Sequence, residues 1–239
     1  MKTALITGST KGIGKQIGLD LLSKGYTVYF NYANDDKTAR LLDFELKDLG
    51  FNKFKIIKAD LSDIEEIDKL NKQINILGLD ILVLNAGITD RTKFGKVSLY
   101  NWNKVFNMNL TIPFFLVQEL KDKIKFNGKI IFISSISGCT TDSTSIAYGV
   151  SKAAIHMLVP YLAKEFANKK ITVNAIAPGY TDTKWHRHKS KAQIKRIEKK
   201  HLVNRLGTTK EISKAVMAVI ENDFINAQTI RVDGGFGLL

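Results

Sequence analysis

A glycine-rich turn near the amino terminus constrains most strongly what this chain can fold into. Residues 3–7 form an apolar run typical of a buried strand, which leads into Thr7-Gly8-Ser9-Thr10-Lys11-Gly12-Ile13-Gly14. Glycines in such a turn let the backbone bend sharply and approach a pyrophosphate, which then lies at the positive end of a helix starting near Gly14. The spacing is G-x-x-x-G-x-G, and its place between a first strand and a first helix predicts a dinucleotide site.

Short apolar runs and helical patterns alternate along the rest of the chain. Beyond the first strand, the predicted strands are residues 27–31, 55–59, 80–84, 130–134, 171–177 and 228–232. Such alternation is typical of an α/β fold with a parallel sheet. Because no long linker, internal repeat or low-complexity segment is evident in the 239 residues, we interpret residues 1–239 as a single domain.

The charge of the chain is strongly positive and unevenly distributed. The net charge is +13 at pH 7, and residues 184–205 hold nine Lys or Arg against one Glu. We interpret this segment either as a solvated helical face or as a basic lid with an electropositive mouth. A positive charge also suggests nucleic acid as a partner, but no nucleic-acid-binding motif is evident and we predict no such binding.

Several absences in the sequence point to a cytoplasmic protein without a metal or a membrane span. The first apolar stretch is too short for a signal sequence, and no apolar run approaches the roughly 20 residues of a span. Cys139 is the only cysteine, which excludes an intrachain disulfide and indicates a reducing compartment. The four histidines lack a cysteine pair or carboxylate cluster at ligand spacing, so no metal site is predicted. His156 is interpreted as a packed helix residue.

The end of the second predicted strand bears on which dinucleotide is bound. In such folds an acidic residue about twenty positions past the glycines accepts the ribose hydroxyl of NAD. Asn31 ends this strand instead, although Asp35 and Asp36 follow a few residues later. Lys11 lies inside the glycine turn, where it either pairs with a 2′-phosphate or remains a solvated lysine. Together these features favour NADP(H).

The ends of the third and fourth predicted strands supply further candidate contacts. Asp60 is either an adenine contact or a turn residue before a helix whose capping box is predicted at Ser62-Asp63-Ile64-Glu65. Asn85-Ala86-Gly87 closes the fourth strand, at the edge where open α/β sheets bind ligands. Asn109 interrupts the helical segment that starts near residue 99, and Pro113 bends its path.

The stretch 130–152 contains the candidate catalytic groups. A predicted strand ends just before Ser135, and a helical pattern begins near residue 147 with Tyr148 and Lys152 in it. Four residues along a helix put two side chains on one face, so a phenol lies beside an ammonium. A phenol has a pKa of about 10, which a fixed cation lowers, so this pair is suited to protonating a carbonyl oxygen that Ser135 hydrogen-bonds. A Tyr-x-x-x-Lys pair can also be a packed ring beside a solvated amine.

In their order and spacing these motifs resemble those of the short-chain dehydrogenase/reductase family over essentially the whole chain. Within that family, the chain is most similar to the 3-oxoacyl-[acyl-carrier-protein] reductases, through Asn31-Tyr32-Ala33, residues 172–179 and the VDGG ending. The matching motifs are the glycine turn of residues 7–14, Asn85-Ala86-Gly87, Asn109, Ser135, Tyr148-x-x-x-Lys152, Pro178-Gly179 and Val232-Asp233-Gly234-Gly235.

The resemblance implies a fold and a set of catalytic roles. The fold would be a Rossmann-type doubly wound parallel sheet of about seven strands flanked by helices, assembled as a homotetramer or homodimer. Tyr148 would be the general acid, and Lys152 would bond the nicotinamide ribose and lower the pKa of Tyr148. Ser135 would orient the ketone, and Asn109 would hold a water that links Lys152 to solvent.

The resemblance also implies a binding site for NADP(H). Thr183 would contact the nicotinamide amide, while Asn85 and Asp60 would flank the adenosine half. The complete set of implied cofactor-binding residues is Gly8, Ser9, Thr10, Lys11, Gly12, Ile13, Gly14, Asn31, Asp60, Leu61, Asn85, Ala86, Gly87, Tyr148, Lys152, Pro178, Gly179, Thr181 and Thr183.

Three segments depart from the pattern of the relatives. Leu84 stands where many of them have Asn, and Ile225-Asn226-Ala227-Gln228 replaces a common Ile-Thr-Gly-Gln. Trp185-His186-Arg187-His188 begins a lid that is more basic than usual in the acyl-carrier-protein reductases. The substrate is therefore less closely defined by the sequence than the chemistry.

The leading hypothesis is NADPH-dependent reduction of a 3-oxoacyl-[acyl-carrier-protein] to its 3-hydroxyacyl form in fatty acid synthesis. Acyl carrier protein is acidic, so the lid lysines with Lys129, Lys169 and Lys170 are candidate contacts. One alternative is the same chemistry on another ketone, a sugar or a polyol. The other is a binding protein that has kept the fold without the chemistry.

Overall fold

The computed structural model describes residues 2–74, 78–141 and 145–238. The first and last residues of the predicted domain 1–239 therefore lie outside the described residues. Residues 142–144, which belong to the predicted loop rich in Gly, Ser and Thr, also lie outside them.

Seven parallel strands form one sheet in the order β3-β2-β1-β4-β5-β6-β7, which confirms the predicted architecture. Buried β-branched and aromatic residues dominate the central strands, as is typical of a sheet that is covered on both faces. The strands are β1 Thr3–Ile6, β2 Thr27–Tyr32, β3 Phe54–Lys58, β4 Leu79–Leu84, β5 Ile124–Ile133, β6 Thr172–Pro178 and β7 Thr229–Val232.

Helices connect the strands and cover both faces of the sheet. Helices α3, α5 and α6 bury one apolar cluster against one face, and α1, α2 and α8 bury a second cluster against the other. The helices are α1 Gly12–Ser23, α2 Asp36–Asp48, α3 Glu65–Gln73, α4 Leu99–Phe106, α5 Ile112–Leu120, α6 Ile146–Glu165, α7 Lys191–Glu198 and α8 Thr209–Glu221.

The strand order places a crevice between β1 and β4. The chain proceeds outward from β1 to β3 and then returns to β4 on the other side of β1. Open α/β sheets bind ligands at such a reversal, beyond the carboxyl ends of the strands. The glycine turn after β1 and Asn85-Ala86-Gly87 after β4 meet at this crevice.

Some element boundaries differ from the sequence prediction. Strand β5 begins at Ile124, six residues before the predicted start, and a left-handed residue at Asn127 (φ 61°) interrupts its apolar pattern. The capping box predicted at Ser62 is wrong: α3 starts at Glu65, and it is the Asp63 carboxylate that accepts from the Glu65 amide at 3.0 Å. Helix α8 begins with a capping box between Thr208 and Glu211.

A single turn of π-helix, Asn107–Thr111, joins α4 to α5. Such a turn contains one residue more than an α-helical turn and is often found at functional sites. It turns Asn109 into the interior, where the residue is 1% exposed. Pro113 lies in the first turn of α5, where its missing amide hydrogen breaks no bond within that helix.

The predicted basic lid contains a helix of its own. Within residues 184–205, a short 3₁₀ turn at Lys184–His186 precedes α7, which begins with a capping box between Ser190 and Gln193. Ile197 is the buried residue of α7, and it packs with Ile136 and Phe236. The lid is therefore anchored to the turn that follows Ser135.

Helix α6 is long and apolar enough to be a candidate membrane span, with a mean hydropathy of 1.2. It is the one such helix among the described residues. Its buried positions include Lys152, and Ile155 and Val159 belong to the apolar cluster on the sheet. One side of α6 thus packs in the core, whereas Met157 and Tyr161 on the same helix are exposed.

Candidate active site

The glycine turn is tightly packed against the end of β4. Gly8 and Gly12 adopt positive φ angles of 58° and 61°, which L side chains disfavour. A β-carbon at Gly8 would lie 2.9 Å from the Ala86 Cα, and one at Gly14 would lie 2.5 Å from the Asn85 Nδ2. Only glycine therefore allows this approach between the two loops.

Hydrogen bonds from β4 hold the turn in place. Thr7 Oγ1 accepts from the backbone amides of Asn85 and Ala86, both at 3.0 Å. The Asn85 side-chain amide donates to the carbonyls of Thr7 and Gly8 at 2.9 and 2.8 Å. Both donors of Asn85 are thus engaged by the turn, and its contribution to a cofactor site is to shape that turn.

The crevice has the chemistry required to bind a dinucleotide. The amino end of α1 opens into it, the first turn of α1 contains no acidic residue, and Lys11 is its N-cap. A pyrophosphate is stabilised by such a helix end and by the glycine backbone. The Thr183 methyl group lies 3.7 Å from the position of a β-carbon at Gly12, so the lid begins directly over the turn.

Asn31 lies near the end of β2, where NAD-binding folds have an acidic residue, and Lys11 lies in the neighbouring glycine turn. Asn31 is 2% exposed and bridges the loops by accepting from the Gly8 amide and donating to the Ala59 carbonyl. The Lys11 ammonium lies 3.2 Å from Asp35. Bonds from Thr38 and then Lys11 lower the pKa of Asp35 to about 2, so this carboxylate is already engaged as the cap of α2.

The remaining predicted cofactor residues line the same edge of the sheet. Asp60 accepts from the Ser62 amide, which supports its turn-residue interpretation. A β-carbon at Gly179 would lie 2.7 Å from the Asp233 Cα. The Ser9 hydroxyl donates to the Ile6 carbonyl, and the Thr181 hydroxyl donates to the Gly179 carbonyl. The other predicted residues are the buried Thr10, Leu61 and Pro178 and the partly buried Ile13.

Ser135, Tyr148 and Lys152 meet at the carboxyl end of β5. Ser135 follows the strand, and its hydroxyl faces the Tyr148 phenol closely enough to lower the pKa of that phenol. The Lys152 ammonium lies 5.8 Å from the centre of the Tyr148 ring and donates to the Ile133 carbonyl at 2.8 Å. The sequence prediction that these three side chains lie together agrees with this geometry.

The expected lowering of the Tyr148 pKa by Lys152 does not occur in this structure. Burial raises the pKa of Tyr148, and the opposing contributions come from the Ser135 bond and the charge of Arg91. Burial also lowers the pKa of Lys152 to about 8. The ammonium points to the Ile133 carbonyl, so the phenol feels mainly its own desolvation.

Asn109 is held beside Lys152 by bonds to neighbouring segments. Its side chain accepts from the Ile88 amide at 2.9 Å and donates to the Ile88 carbonyl and to Ser151 Oγ, both at 3.0 Å. A β-carbon at Gly87 would lie 3.1 Å from the Asn109 Oδ1 and 3.6 Å from the Lys152 Nζ. Gly87, Asn109 and Lys152 therefore converge, although their neighbours Ser151 and Ile88 were not predicted.

The lid covers the phenol through residues to which the sequence analysis gave no role. The Trp185 ring lies 6.0 Å from that of Tyr148, and an Arg91 guanidinium nitrogen is 3.5 Å from the Trp185 carbonyl. The signal for Trp185 was its departure from the usual lid sequence. Arg91 had no local signal, because its loop meets the lid only in the folded chain.

Three predicted docking lysines are at the opposite edge of the sheet. Lys129 is 6% exposed near the start of the paired part of β5, where it binds Asp223 at 2.5 Å. Lys169 and Lys170 precede β6, where Lys169 binds the Lys121 carbonyl and Lys170 lies over the Phe126 ring. These lysines lie near the amino ends of β5 and β6, whereas Ser135 follows the carboxyl end of β5. Docking of a carrier protein at these lysines stays a prediction.

A Rossmann-type sheet with a glycine turn and a Ser-Tyr-Lys cluster defines a class of dinucleotide-dependent oxidoreductases. The sequence profile of the short chain dehydrogenase family matches residues 2–194. The chain belongs to the short-chain dehydrogenase/reductase family and is an oxidoreductase of that family.

Named relatives resemble the chain over nearly its full length. It is 33% identical to the 3-oxoacyl-[acyl-carrier-protein] reductase FabG of Aquifex aeolicus, covering 98% of this chain and 96% of the relative. It is 35% identical to the acetoacetyl-CoA reductase of Rhizobium meliloti, covering 98% of each. The Pseudomonas aeruginosa RhlG/NADP active-site complex superposes with a TM-score of 0.90 at 28% identity, covering 99% of this chain and 96% of that one.

Proposed function

We propose that this protein is an NADPH-dependent reductase that converts the ketone of a 3-oxoacyl thioester to a secondary alcohol. The observation that supports it best is the meeting of Ser135, Tyr148 and Lys152 beside a crevice suited to a dinucleotide. Relatives named as acyl-carrier-protein and acetoacetyl-CoA reductases both act on 3-oxoacyl thioesters by name. The favoured substrate is the acyl-carrier-protein form, used in fatty acid synthesis.

Each catalytic side chain has one role in this proposal. The cofactor, when bound, supplies a hydride to the carbonyl carbon. Ser135 donates a hydrogen bond to the carbonyl oxygen, and Tyr148 delivers a proton to that oxygen as it gains negative charge. The raised pKa of Tyr148 keeps the phenol protonated before the reaction. Lys152 binds the cofactor ribose, and Asn109 holds a water that links Lys152 to solvent for reprotonation.

The preference for NADP(H) is supported by the adenosine end of the crevice. Asn31, the next-to-last residue of β2, carries no carboxylate, and Lys11 and Asp35 pair at the surface with half-exposed side chains. A 2′-phosphate can replace Asp35 as the partner of Lys11, because exposed ion pairs are weak and exchange readily. Titration of NADPH and NADH into the protein, followed by intrinsic fluorescence, measures this preference directly.

Replacement of Tyr148 by Phe tests the chemistry. We expect Tyr148→Phe to lower kcat by about 10²- to 10⁴-fold, because a positioned general acid is lost. NADPH affinity and the unfolding transition should stay at wild-type values. Tyr161→Phe is the matched control, since Tyr161 lies on the same helix and is 67% exposed. Wild-type turnover by Tyr148→Phe would overturn the role of Tyr148 as general acid. Absence of carbonyl reduction by the wild type would favour the third possibility, a binding protein without this chemistry.

A different ketone, a sugar or a polyol is the alternative substrate for the same groups. The unusual lid, with Trp185 over Tyr148, is the observation that favours keeping this alternative. A panel of acyl-carrier-protein, coenzyme A and free carbonyl substrates at fixed NADPH separates these possibilities by kcat/KM. A sugar or polyol that outperforms every thioester would overturn the thioester proposal.

The proposal also includes a homotetramer, or a homodimer, located in the cytoplasm. An apolar surface on α5 and α6 supports self-association, because a patch of this kind on a folded protein commonly marks an interface. It includes Phe115, Met157 and Tyr161, which are 36%, 61% and 67% exposed. Light scattering on the purified protein measures the mass of the assembly.

A further inference from the structure

His156 bridges the strand that leads to Ser135 and the helix that bears Tyr148 and Lys152. It lies on α6, one turn beyond Lys152, and its Nε2 is 2.7 Å from the hydroxyl of Ser134, the residue before Ser135. Its Nδ1 is 3.8 Å from the Cys139 sulfur. The imidazole on α6 thus contacts both the residue that follows β5 and the turn after Ser135.

The turn after Ser135 is fitted closely to this imidazole. A β-carbon at Gly138 would lie 2.8 Å from the His156 Cε1 and 2.7 Å from backbone atoms of Lys152 and Ala153. Ser135 itself accepts from the Ser137 amide at 3.1 Å. Movement of the imidazole would therefore disturb the same short turn that positions Ser135.

The hydrogen bonds around Ser134 assign the tautomer of His156. The Ser134 hydroxyl donates its single hydrogen to the Lys152 carbonyl at 3.1 Å. This use of the hydroxyl hydrogen favours a contact in which His156 Nε2–H donates to the Ser134 oxygen. Nδ1 is left as an acceptor that faces the Cys139 thiol. Burial and the Lys152 charge hold the pKa of His156 below its usual value, which favours this neutral form at pH 7.

Besides the contact between Ser134 and His156, two hydrogen bonds join the end of β5 to α6, and His156 supports one of them. Lys152 Nζ donates to the Ile133 carbonyl, and Ser134 Oγ donates to the Lys152 carbonyl. Without the Nε2–H donor, the Ser134 hydroxyl is free to rotate and the second link weakens. Ser135, the next residue, would then be less well placed relative to the Tyr148 phenol.

We propose that His156 is a positioning residue, which acts through Ser134 to set the place of Ser135 against Tyr148 and Lys152. The proposal rests on the proposed function, because it assigns a purpose to the position of Ser135. Small displacements of a catalytic group are costly, and a shift of about 1 Å can lower a rate by up to about 100-fold. His156 does not touch the reacting atoms in this account.

Two substitutions at His156 test the proposal. His156→Leu removes the donor and should lower kcat about tenfold while the Kd for NADPH, measured by fluorescence, stays at its wild-type value. His156→Gln keeps an amide donor near the position of Nε2 and should restore kcat to within about twofold of wild type. Wild-type kcat in His156→Leu would overturn the proposal, and so would equal losses in the Leu and Gln variants.

Further measurements keep the test decisive if His156→Leu does not fold. Ser134→Ala removes the acceptor and should produce the same kcat loss, whereas Cys139→Ser should leave kcat unchanged. Nitrogen-15 NMR of the wild-type imidazole should show hydrogen on Nε2. Hydrogen on Nδ1 would refute the geometry even if Tyr148→Phe supports the proposed function. If Tyr148→Phe retains turnover instead, the proposed function fails while the tautomer result still reports on His156.

Discussion

Lys152 is a charged side chain that the fold keeps almost entirely from water. It is 4% exposed, and its one charge-assisted hydrogen bond goes to the Ile133 carbonyl. Burial lowers the pKa of this amine from 10.5 to about 8. The unfolded chain therefore binds a proton more tightly than the folded protein does, and the residue costs stability at neutral pH. That cost is typical of groups retained for chemistry.

Replacement of Lys152 should reveal this cost. A fall in pKa from 10.5 to about 8 corresponds to about 3 kcal/mol of unfolding free energy lost by the wild type at pH 7. A variant without the ammonium regains this free energy but loses the hydrogen bond to the Ile133 carbonyl, which offsets part of the gain. We expect Lys152→Met to be more stable than wild type at pH 7 by about 2 kcal/mol and to lack activity. Between pH 8 and 10.5 the unfolding free energy of the wild type should rise relative to that of the variant, because the folded amine loses its proton at a lower pH than the unfolded one. Urea unfolding of wild type and variant at pH 7 and pH 10 measures these free energies. An equal difference in unfolding free energy at the two pH values would contradict the lowered pKa of Lys152.

At the scale of single elements, the turn that enters β7 shows how an unusual sequence is accommodated. Ala227 adopts a φ of 59°, a left-handed conformation that favours glycine, at the position where relatives commonly have Gly. Asn226 Oδ1 accepts from the Val173 and Ala227 amides, both at 2.9 Å, and Asn174 donates to the Ile225 carbonyl. Side-chain bonds thus hold the strained alanine against β6.

Replacement of Ala227 by Gly should stabilise the protein. A left-handed alanine lowers the unfolding free energy by about 1–2 kcal/mol. Glycine relieves this strain, but its greater flexibility in the unfolded chain cancels about half of the gain. We expect Ala227→Gly to raise the unfolding free energy by about 0.5–1 kcal/mol in urea. The control is Ala192→Gly in the exposed part of α7, which should lose about 1 kcal/mol because its backbone is helical. The same sign in both variants would refute the strain at Ala227.

The elements predicted from sequence were those with a local signal. The glycine turn, the apolar strands and the Tyr148–Lys152 spacing are readable because their residues are neighbours along the chain. The bond between Ser134 and His156 and the contact of Arg91 with Trp185 span 22 and 94 residues. No local periodicity encodes such pairs, so they depend on how whole elements pack. The direction of the Lys152 ammonium was missed for the same reason.

At the scale of the whole molecule, two groups of cations contribute to the net charge of +13 and lie in different parts of the fold. The lid cations surround the entrance to Tyr148, whereas Lys129, Lys169 and Lys170 are engaged with Asp223, the Lys121 carbonyl and Phe126 at the far edge. We propose that the lid is the surface that would steer an acidic carrier toward the site. Charge steering raises association rates and weakens as salt screens it.

Salt dependence should therefore distinguish a carrier-bound substrate from a free one. We expect kcat/KM for a 3-oxoacyl carrier protein to fall at least about tenfold between 0.02 and about 0.5 M salt, and that for a neutral small ketone to be nearly constant. Lys195→Glu on α7 should lower the carrier value at low salt, while Lys170→Glu at the far edge should not. An equal salt response of both substrates, or an equal effect of both variants, would reject docking at the lid.

The π-helical turn of Asn107–Thr111 has a consequence for how this region can vary in length. Deletion of one residue there would restore regular α-helical bonding and rotate all that follows by about 100°. Either Asn109 would then swing away from Ile88 and Ser151, or Leu116 and Leu120 would leave the apolar cluster. Contacts of Asn109 and of α5 thus fix the rotation of α4 relative to α5. We expect insertions and deletions in related chains to occur in the loops that flank these helices.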